Sequence, residues 1–367
     1  MDKIKKKLGF GMMRLPMDGD QVDRQAVNEM VDAFIDAGFN YFDTARPYLG
    51  GDSERVVKEC LADRYPREAF VLTNKMSQGF FEKEEDIRPM FEDQLKTCGV
   101  DYFDFYLLHA QNKGNFDKYK SCRAYETAFE LKKEGKIRHV GLSFHDSADF
   151  LEEILDTYPE IEVVQLQLNY LDFDDPAIQS RKCLEVCKKR NIPVLVMKPV
   201  KGGTLASLPQ AADELIKNQN AGSPASYALR FAAGTDGVIM TLSGMSNLEQ
   251  MNDNLSTMKD FEPLNEQEHQ LLDQVLDVFH TMNLIPCTAC HYCTEGCPQQ
   301  ILIPDLFAVY NTNLREGSGG EFYYRNALTK NNGKASDCIE CGQCEDACPQ
   351  HLPIRELLKQ VSAKFDQ

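Results

Sequence analysis

Two copies of one cysteine pattern constrain this chain more than any other feature of its sequence. Each copy reads Cys-x2-Cys-x2-Cys-x3-Cys-Pro, and the two copies use eight of the thirteen cysteines. This spacing is typical of proteins that hold two 4Fe-4S clusters, in which three cysteines of one run bind one cluster and the fourth binds the other. The C-terminal part of the chain is therefore expected to fold around two clusters. The eight residues are Cys287, Cys290, Cys293, Cys297, Cys338, Cys341, Cys344 and Cys348.

The crossed arrangement assigns four thiolates to each cluster. Three thiolates on one tight loop can cap three iron corners, whereas the fourth cysteine, held by proline, points away from that cube. A zinc site or a disulfide framework is the alternative. However, zinc sites use paired Cys-x2-Cys arms, and nothing in the sequence indicates secretion. We expect cluster 1 at Cys287, Cys290, Cys293 and Cys348, and cluster 2 at Cys338, Cys341, Cys344 and Cys297.

Charge and hydropathy exclude several kinds of partner. The 40 basic and 57 acidic side chains leave a net charge of -17, which repels phosphate backbones and anionic lipid, so neither nucleic acid nor a membrane is expected as a partner. No apolar stretch reaches the ~18 residues of a membrane span. The basic residues 1–7 are followed by Gly9, Gly11 and Arg14 rather than by an apolar segment, so no secretory signal is expected. Many free thiols and clusters favour a reducing cytoplasm, in an anaerobic or microaerobic cell.

Up to about residue 260, short apolar runs alternate with segments of helical period. One such segment places Val27, Met30, Val31 and Phe34 on one face, with Asp23 as a candidate N-cap. Eight strand-helix units predict an α/β fold, the (β/α)8 TIM barrel. A doubly wound open sheet is the alternative, but it needs fewer strands, and no glycine-rich dinucleotide fingerprint follows the first run. The predicted strands are Leu8–Leu15, Phe39–Asp43, Phe70–Lys75, Phe103–His109, Ile137–Ser143, Glu162–Gln167, Ile192–Lys198 and Gly237–Leu242.

The sequence predicts two domains, the barrel at residues 1–262 and a linker helix with the dicluster domain at 263–367. The linker is predicted as an amphipathic helix over Asn265–Met282, with a capping box formed by Asn265 and Glu268. Residues 298–337, between the cysteine runs, have helical patterns on both sides of a glycine-rich break at 317–320. We therefore expect the second domain to be mostly helical.

Four polar residues fall at the predicted C-terminal ends of the strands, where TIM barrels carry their chemistry. Each has an ordinary explanation alone, as a helix cap, a solvated lysine or a core histidine. Together they suit the reduction of a carbonyl by hydride, which needs a proton donor. Lys75 would lower the pKa of Tyr48, the general acid, and Asp43 would hold Lys75 in place. His109 would donate a hydrogen bond to the substrate oxygen.

These residues lie in segments that resemble the aldo-keto reductase signature. The segments are Asp43-Thr44-Ala45-Arg46-Pro47-Tyr48 with Gly51-Asp52-Ser53-Glu54, then Thr73-Asn74-Lys75 and Leu107-Leu108-His109. The resemblance implies a (β/α)8 barrel, NAD(P)H laid across the strand ends, and a catalytic tetrad of Asp43, Tyr48, Lys75 and His109. The whole chain resembles the subgroup with a C-terminal 4Fe-4S dicluster domain.

The resemblance also implies a set of cofactor contacts, with departures. Ser143 and Gln165 match the contacts to the nicotinamide carboxamide, but Phe144 replaces the usual asparagine. Met197 stands where a tyrosine commonly stacks, and Gln250 stands where an arginine usually holds the 2'-phosphate. A phosphate site is expected at the strand ends, and it would also accept the phosphate of FMN. The remaining candidate contacts are Lys198, Lys201, Gly202, Gly203, Gly244, Met245, Ser246, Asn254 and the helix starting near Asn247; His145 and Asp146 could line the pocket, or Asp146 could cap a helix.

Three functions remain open from the sequence. The first is a hydride-transferring reductase of a small-molecule carbonyl substrate, with the clusters structural or used for electron transfer. The second is an FMN-containing iron-sulfur oxidoreductase with a ferredoxin-like one-electron partner, because a 4Fe-4S cluster passes single electrons whereas hydride carries two. The third is a non-catalytic redox sensor. The substrate itself depends on loops whose conformation the sequence does not determine.

Overall fold

A closed barrel of eight parallel strands forms the first part of the computed structural model, which describes residues 1–219, 222–316 and 320–366. Each barrel strand pairs with its two neighbours, and the first strand, Leu8–Gly11, completes the ring by pairing with Tyr41–Asp43 on one side and Val238–Ser243 on the other. The strands are β1 (Leu8–Gly11), β4 (Tyr41–Asp43), β5 (Val71–Met76), β6 (Phe103–Gln111), β7 (Ile137–Phe144), β8 (Val163–Gln167), β9 (Val194–Met197) and β10 (Val238–Ser243). The predicted TIM barrel is therefore confirmed.

All eight predicted runs contain a strand, although their bounds differ. The first run ends as a strand at Gly11 rather than at Leu15, and Pro16, which cannot donate a backbone hydrogen bond, follows shortly after. A short antiparallel hairpin, β2 (Met17–Asp18) with β3 (Gln21–Val22), was not predicted. Its strands are too short to show a periodic pattern.

Helices follow the strands along the chain. The first, α1, shows how the sequence specifies them: the Asp23 carboxylate accepts a hydrogen bond from the Ala26 amide and caps the helix. The predicted apolar face of this helix is buried. The helices of this part are α1 (Arg24–Asp36), α2 (Asp52–Val57), α3 (Glu84–Cys98), α4 (Lys113–Ser121), α5 (Ala124–Lys133), α6 (Ala148–Thr157), α7 (Ser180–Lys189), α9 (Pro224–Gly234) and α10 (Leu248–Lys259).

Large side chains fill the inside of the barrel, so it is a packed core and not a pore. They come from six of the eight strands, β4, β5, β6, β8, β9 and β10, and include aromatic and branched residues. Functional groups must therefore lie at the strand ends. The buried set is Tyr41, Val71, Phe105, Leu107, Val163, Leu195, Met240 and Leu242.

Internal contacts divide the chain into two units. Unit 1 is Met1–Pro199 with Ala225–Leu264, and unit 2 is Val200–Pro224 with Asn265–Gln367. The sequence-based boundary at 262/263 lies close to the third crossing between the units, at 264/265. Residues 200–224, which follow β9 in the chain, instead cluster with unit 2, which the sequence did not indicate.

Unit 2 is helical, as predicted. The linker helix α11 (Glu266–Met282) has the expected capping box. The Asn265 side chain accepts a hydrogen bond from the Glu268 amide, and the Glu268 carboxylate accepts one from the Asn265 amide. The other helices are α8 (Gln210–Lys217), α12 (Tyr292–Glu295), α13 (Ile303–Glu316), α14 (Glu321–Tyr323), α15 (Gln343–Asp346) and α16 (Ile354–Phe365). Residues 317–319 of the predicted glycine-rich break lie outside the described residues.

The cysteine runs of unit 2 are embedded in its apolar core. Cys293 and Cys344 are buried within this core, and four further cysteines pack against it. Other members of the core are Ile285, Ile301, Ile303, Leu306, Phe307, Tyr324, Leu328, Ala335, Leu352, Ile354, Leu358, Val361 and Phe365. Within the described part of the chain, no helix combines the length and apolar character needed to cross a membrane.

Candidate active site and cluster cavities

A buried ion pair lies at the C-terminal end of the barrel strands. Asp43 is the last residue of β4, and Lys75 lies next to the end of β5. The Lys75 Nζ atom is 2.6 Å from Asp43 Oδ1 and 2.8 Å from the Thr44 carbonyl oxygen. Burial raises the pKa of Asp43 and lowers the pKa of Lys75, and the attraction between the two groups opposes both shifts. The predicted role of Asp43 in holding Lys75 is consistent with this contact.

Tyr48 follows in the loop after β4, in a 3-10 turn at Tyr48–Gly51. Its ring lies 4.8 Å from Lys75 Nζ and 5.9 Å, edge to face, from the His109 ring. Burial raises the pKa of the Tyr48 phenol, and the Asp43 carboxylate raises it further. The pKa of Tyr48 is therefore raised in this structure and not lowered as predicted, because burial and the Asp43 carboxylate both disfavour the phenolate. Tyr48 holds its proton at neutral pH.

Buried polar contacts hold the loop that carries Tyr48. The Glu54 carboxylate accepts hydrogen bonds from Asn74 Nδ2 at 2.9 Å and Gln94 Nε2 at 2.8 Å. Its other oxygen lies 2.8 Å from Arg46 Nε, and Ser53 Oγ donates to the Met12 carbonyl oxygen. Ser53 and Glu54 thus support this loop.

His109 lies near the end of β6, and all but a small part of its side chain is buried. Burial and the Lys75 ammonium lower its pKa to about 3, so the ring is neutral at physiological pH. Its Nδ1 atom is 2.6 Å from Ser77 Oγ, a contact that sequence reasoning missed. Ser77 follows β5 directly and had no signal in the sequence beyond its position two residues after Lys75.

The two predicted carboxamide contacts lie next to the tetrad. Gln165 Nε2 donates to Asp43 Oδ2 at 3.3 Å, and Ser143 Oγ accepts a hydrogen bond from the Ala110 amide at 2.7 Å. Both side chains belong to neighbouring strands, where Ser143 pairs with Gln165. Phe144, in place of the family's asparagine, is buried.

The predicted phosphate loop follows β10. Gln250 Oε1 accepts from the Ser246 amide, and Asn247 caps helix α10 by accepting from the Gln250 amide. Ser246 Oγ donates to the Arg14 carbonyl oxygen. A Cβ at Gly244 would lie 3.4 Å from the Arg14 side chain, which therefore covers this loop. Of the other candidates, Met245 is buried, and buried Asn254 donates to Ser243 Oγ at 3.0 Å.

Other predicted contacts lie at and beyond the end of β9. Met197 is the last residue of β9 and half-buried, and Lys198 follows it with a φ of 57°. Lys201, Gly202 and Gly203 form a 3-10 turn in unit 2. His145 and Asp146 follow β7. The Asp146 carboxylate accepts hydrogen bonds from the Ser147 amide and from the amide of Lys113, the first residue of α4, and the N-cap of α6 is Ser147.

Gly202 has a close contact that explains its identity. Its φ is 68°, and a Cβ there would lie 3.0 Å from the Thr288 Cα and carbonyl carbon and nearer still to the carbonyl oxygen. Thr288 follows Cys287, the first cysteine of the cluster 1 run. A tight backbone approach therefore requires glycine at position 202, whereas a Cβ at Gly203 would meet nothing within 4 Å.

Eight cysteines of unit 2 surround two cavities. The first cavity is lined by Cys287, Cys290, Cys293 and Cys348, together with apolar residues that include Phe307. The second is lined by Cys297, Cys338, Cys341 and Cys344, with Ile301, Ile339 and Leu358 beside them. Each cavity thus takes three thiols from one run and the fourth from the other, which is the arrangement predicted for clusters 1 and 2.

The donor set of each cavity suits a 4Fe-4S cluster. Four thiols ring each space, and among the described residues no three His, Cys, Asp or Glu side chains converge on a point suited to a single metal ion. Burial, followed by the neighbouring cysteines, raises the pKa of Cys293 to about 12. Iron would offset this cost because it binds thiolates. All thirteen cysteines are free thiols in the described structure, and the other five, Cys60, Cys98, Cys122, Cys183 and Cys187, are buried.

Two family models match the chain in tandem. The model of the aldo/keto reductase family matches residues 7–277, and that of the 4Fe-4S dicluster domain matches residues 286–352. Among curated proteins, an uncharacterized oxidoreductase of Schizosaccharomyces pombe is 26% identical over 265 residues, which cover 69% of this chain and 82% of that protein. The NADH-specific methylglyoxal reductase of Escherichia coli is 30% identical over 222 residues, covering 54% of this chain and 65% of its own length.

Solved structures show the same fold for the barrel. An aldo-keto reductase from Bacillus halodurans in its holo form has a TM-score of 0.60 and 24% identity, covering 74% of this chain and 92% of its own. An aldo-keto reductase from Klebsiella pneumoniae in complex with NADPH also has a TM-score of 0.60, with 23% identity, and covers 74% of this chain and 95% of its own.

Proposed function

Because the chain belongs to the aldo/keto reductase family and is an oxidoreductase with a 4Fe-4S dicluster domain, we propose that it reduces the carbonyl group of a small molecule with a nicotinamide cofactor. The observation that carries this proposal is the convergence of Asp43, Tyr48, Lys75 and His109 at the strand ends.

The tetrad residues supply a proton to the developing alkoxide. A bound nicotinamide supplies the hydride that adds to the carbonyl carbon. Tyr48 donates its phenolic proton to the carbonyl oxygen, and the neighbouring Lys75 ammonium stabilises the negative charge that this donation leaves on the phenol oxygen. Asp43 keeps Lys75 in place through their 2.6 Å contact. Neutral His109 donates a hydrogen bond to the same substrate oxygen, and the product is an alcohol.

We propose NADH as the hydride donor. Segment 243–250 contains no lysine or arginine, and the Gln250 side chain is already used by the Ser246 amide. The segment itself therefore has no cationic side chain that could bind a 2'-phosphate. Ser143 and Gln165 would orient the carboxamide, beside Asp43. The relative from Escherichia coli is itself NADH-specific, which supports the proposal.

The cysteine cavities support two 4Fe-4S clusters, which supply one-electron transfer when bound. A second candidate function follows from them, an FMN-containing iron-sulfur oxidoreductase that exchanges single electrons with a ferredoxin-like partner. It is favoured by the mismatch between one-electron clusters and two-electron hydride. A cytoplasmic location and the division into a barrel at 1–262 and a dicluster domain at 263–367 belong to the same proposal.

The first experiment identifies the cofactor and tests the general acid. Anaerobically purified protein is denatured and any released flavin or nicotinamide is identified by chromatography. NADH and NADPH oxidation is then followed with methylglyoxal as the probe substrate. We expect no flavin, turnover with NADH, and loss of turnover in Tyr48→Phe with normal iron content and NADH binding.

Two results would overturn the reductase proposal. Stoichiometric FMN would favour the second candidate, and full activity in Tyr48→Phe would remove the tetrad assignment. Tyr65→Phe serves as a matched control, because Tyr65 bonds Asp32 near the surface and loses the same hydroxyl group.

A further inference from the structure

The contact between Ser77 and His109 joins a residue outside the tetrad to a member of the tetrad. Ser77 Oγ and His109 Nδ1 are 2.6 Å apart, and both side chains are buried. A neutral imidazole has one nitrogen that donates and one that accepts, so the partner of Nδ1 decides what Nε2 can do. A serine hydroxyl can take either role, and it rotates to suit its surroundings.

The surroundings of this pair are rigid. The hydroxyl of Tyr119, fully buried on α4, lies 2.8 Å from the Met76 carbonyl oxygen and 2.9 Å from the His109 carbonyl oxygen, which share its one proton. One side chain therefore fixes the spacing between the residue before Ser77 and His109 itself. The serine and the imidazole are held at hydrogen-bond distance by the backbone rather than by their own flexibility.

The strand is also irregular at this position. The pairing of β6 with β7 shifts register between Leu108 and Gln111, and Ala110 has a φ of 54°. The Ala110 amide is held by Ser143 Oγ. Such irregularities turn a side chain away from its regular direction, and they persist only when the surrounding contacts support them. The irregular backbone next to His109 thus helps to set the direction of its ring.

We propose that Ser77 is a positioning residue: its hydroxyl donates to His109 Nδ1, so that the ring carries its proton on Nε2 and presents that N–H to the substrate oxygen. The role of His109 as donor rests on the proposed reductase function. The orientation and tautomer of the ring are properties of the resting protein and can be measured without turnover.

The direct test is nitrogen NMR of the anaerobic holoprotein labelled with 15N-histidine. His109→Gln identifies the signals of His109 among those of the seven histidines. We expect Nδ1 to show the shift of an unprotonated, hydrogen-bonded nitrogen and Nε2 that of a protonated one. In Ser77→Ala the Nδ1 signal should move, because its donor is lost. A protonated Nδ1 in the natural protein would overturn the proposal.

Kinetics with NADH and methylglyoxal provide a second readout. Ser77→Ala should lower kcat about three- to tenfold, the size expected for one neutral hydrogen bond, with little change in NADH binding. Ser77→Thr keeps the hydroxyl and should restore most of the activity and the Nδ1 shift. Ser121→Ala is the matched control, because Ser121 is exposed and bonds only its own helix.

The outcomes separate this proposal from the proposed function. If His109→Gln leaves turnover unchanged, the reductase assignment fails while the NMR result still decides the tautomer. If His109→Gln is impaired but Ser77→Ala changes neither kcat nor the Nδ1 shift, the positioning role of Ser77 is refuted. A Ser77→Thr variant as impaired as Ser77→Ala would also count against it, since the hydroxyl would then not be the group that matters.

Discussion

Replacing Asp43 with Asn should leave a buried cation without its counter-charge. In the structure Lys75 is fully buried, and its ammonium has the Asp43 carboxylate at 2.6 Å and the Thr44 carbonyl oxygen at 2.8 Å. The asparagine has the same shape but no charge. The substitution also replaces Asp43 Oδ2, which accepts a hydrogen bond from Gln165 Nε2, with an amide nitrogen, so two donors would face each other. The variant therefore tests how strongly the pair holds the site.

The expected loss is roughly 3–5 kcal/mol, the range for breaking one partner of a buried pair. The loss should depend on pH. The pKa of a free lysine is about 10.4, and burial lowers the pKa of Lys75, with less opposition once Asp43 is gone. Between the lowered pKa and the free value the unfolded chain binds more protons, so the stability of the variant rises with pH. As the pH rises through this range, the difference in unfolding free energy between the variant and the natural protein should therefore shrink. The total decrease is about 1.4 kcal/mol for each unit by which the substitution lowers the pKa of Lys75 further.

The assay is denaturant unfolding followed by far-UV circular dichroism under anaerobic conditions, since the sequence has no tryptophan. Cluster absorbance reports on unit 2 separately. Asp63→Asn is the matched control, because Asp63 pairs with Lys58 at the surface and should lose at most about 1 kcal/mol. The double variant Asp43→Asn with Lys75→Met should recover much of the loss. A loss no larger than that of the control, or a gap that widens with pH, would refute the reasoning.

Three further predictions concern unit 2 and His109. Gly202→Ala should destabilise unit 2 by roughly 2–4 kcal/mol, because it adds left-handed backbone strain to a clash with Thr288; cluster bleaching should then occur at lower denaturant than in Gly203→Ala, and equal midpoints would contradict the contact. Cys290→Ala should remove about half of the iron, four of eight atoms, while Cys183→Ala removes none; full iron in the first variant would contradict the assignment of cluster 1. The pKa of His109 is lowered to about 3 in the folded protein, whereas a histidine in the unfolded chain takes up its proton near pH ~6.5. Because only the unfolded chain binds this proton between the two values, stability should fall as the pH drops below about 6.5. His109→Gln should make this slope shallower, and an unchanged slope would be inconsistent with a neutral buried ring.

For the tetrad, the sequence predicted which residues lie together but not the pKa of the general acid. Asp43, Lys75 and His109 could be placed together because parallel strands of a barrel end at the same face, whatever the details of packing. The pKa of Tyr48 could not be predicted, because it depends on how deeply the phenol is buried and on whether Asp43 or Tyr48 is closer to Lys75. Those are differences of a few ångströms that no motif encodes.

The glycines after β9 show a different limit. The sequence suggests Gly202 and Gly203 only as candidate phosphate contacts, and in the structure both have positive φ. Which of the two glycines also needs a close backbone approach depends on Thr288, which is distant in the chain and lies against Gly202, whereas a Cβ at Gly203 meets nothing within 4 Å. The assignment of residues 200–224 to unit 2 depends on the same kind of distant contact.

The sequence by itself determined the features that depend on local pattern: the alternation of strands and helices, the capping of α1 and α11, and the crossed use of the eight cysteines. These follow from side-chain periodicity and from ligand spacing along a few residues. Only the tertiary structure decided the contacts between distant segments, namely Ser77 with His109, Gln165 with Asp43, and Gly202 with Thr288. Their geometry is set by the closure of the barrel and the packing of unit 2, because hydrogen-bond distances depend on the whole fold and not on the neighbouring residues.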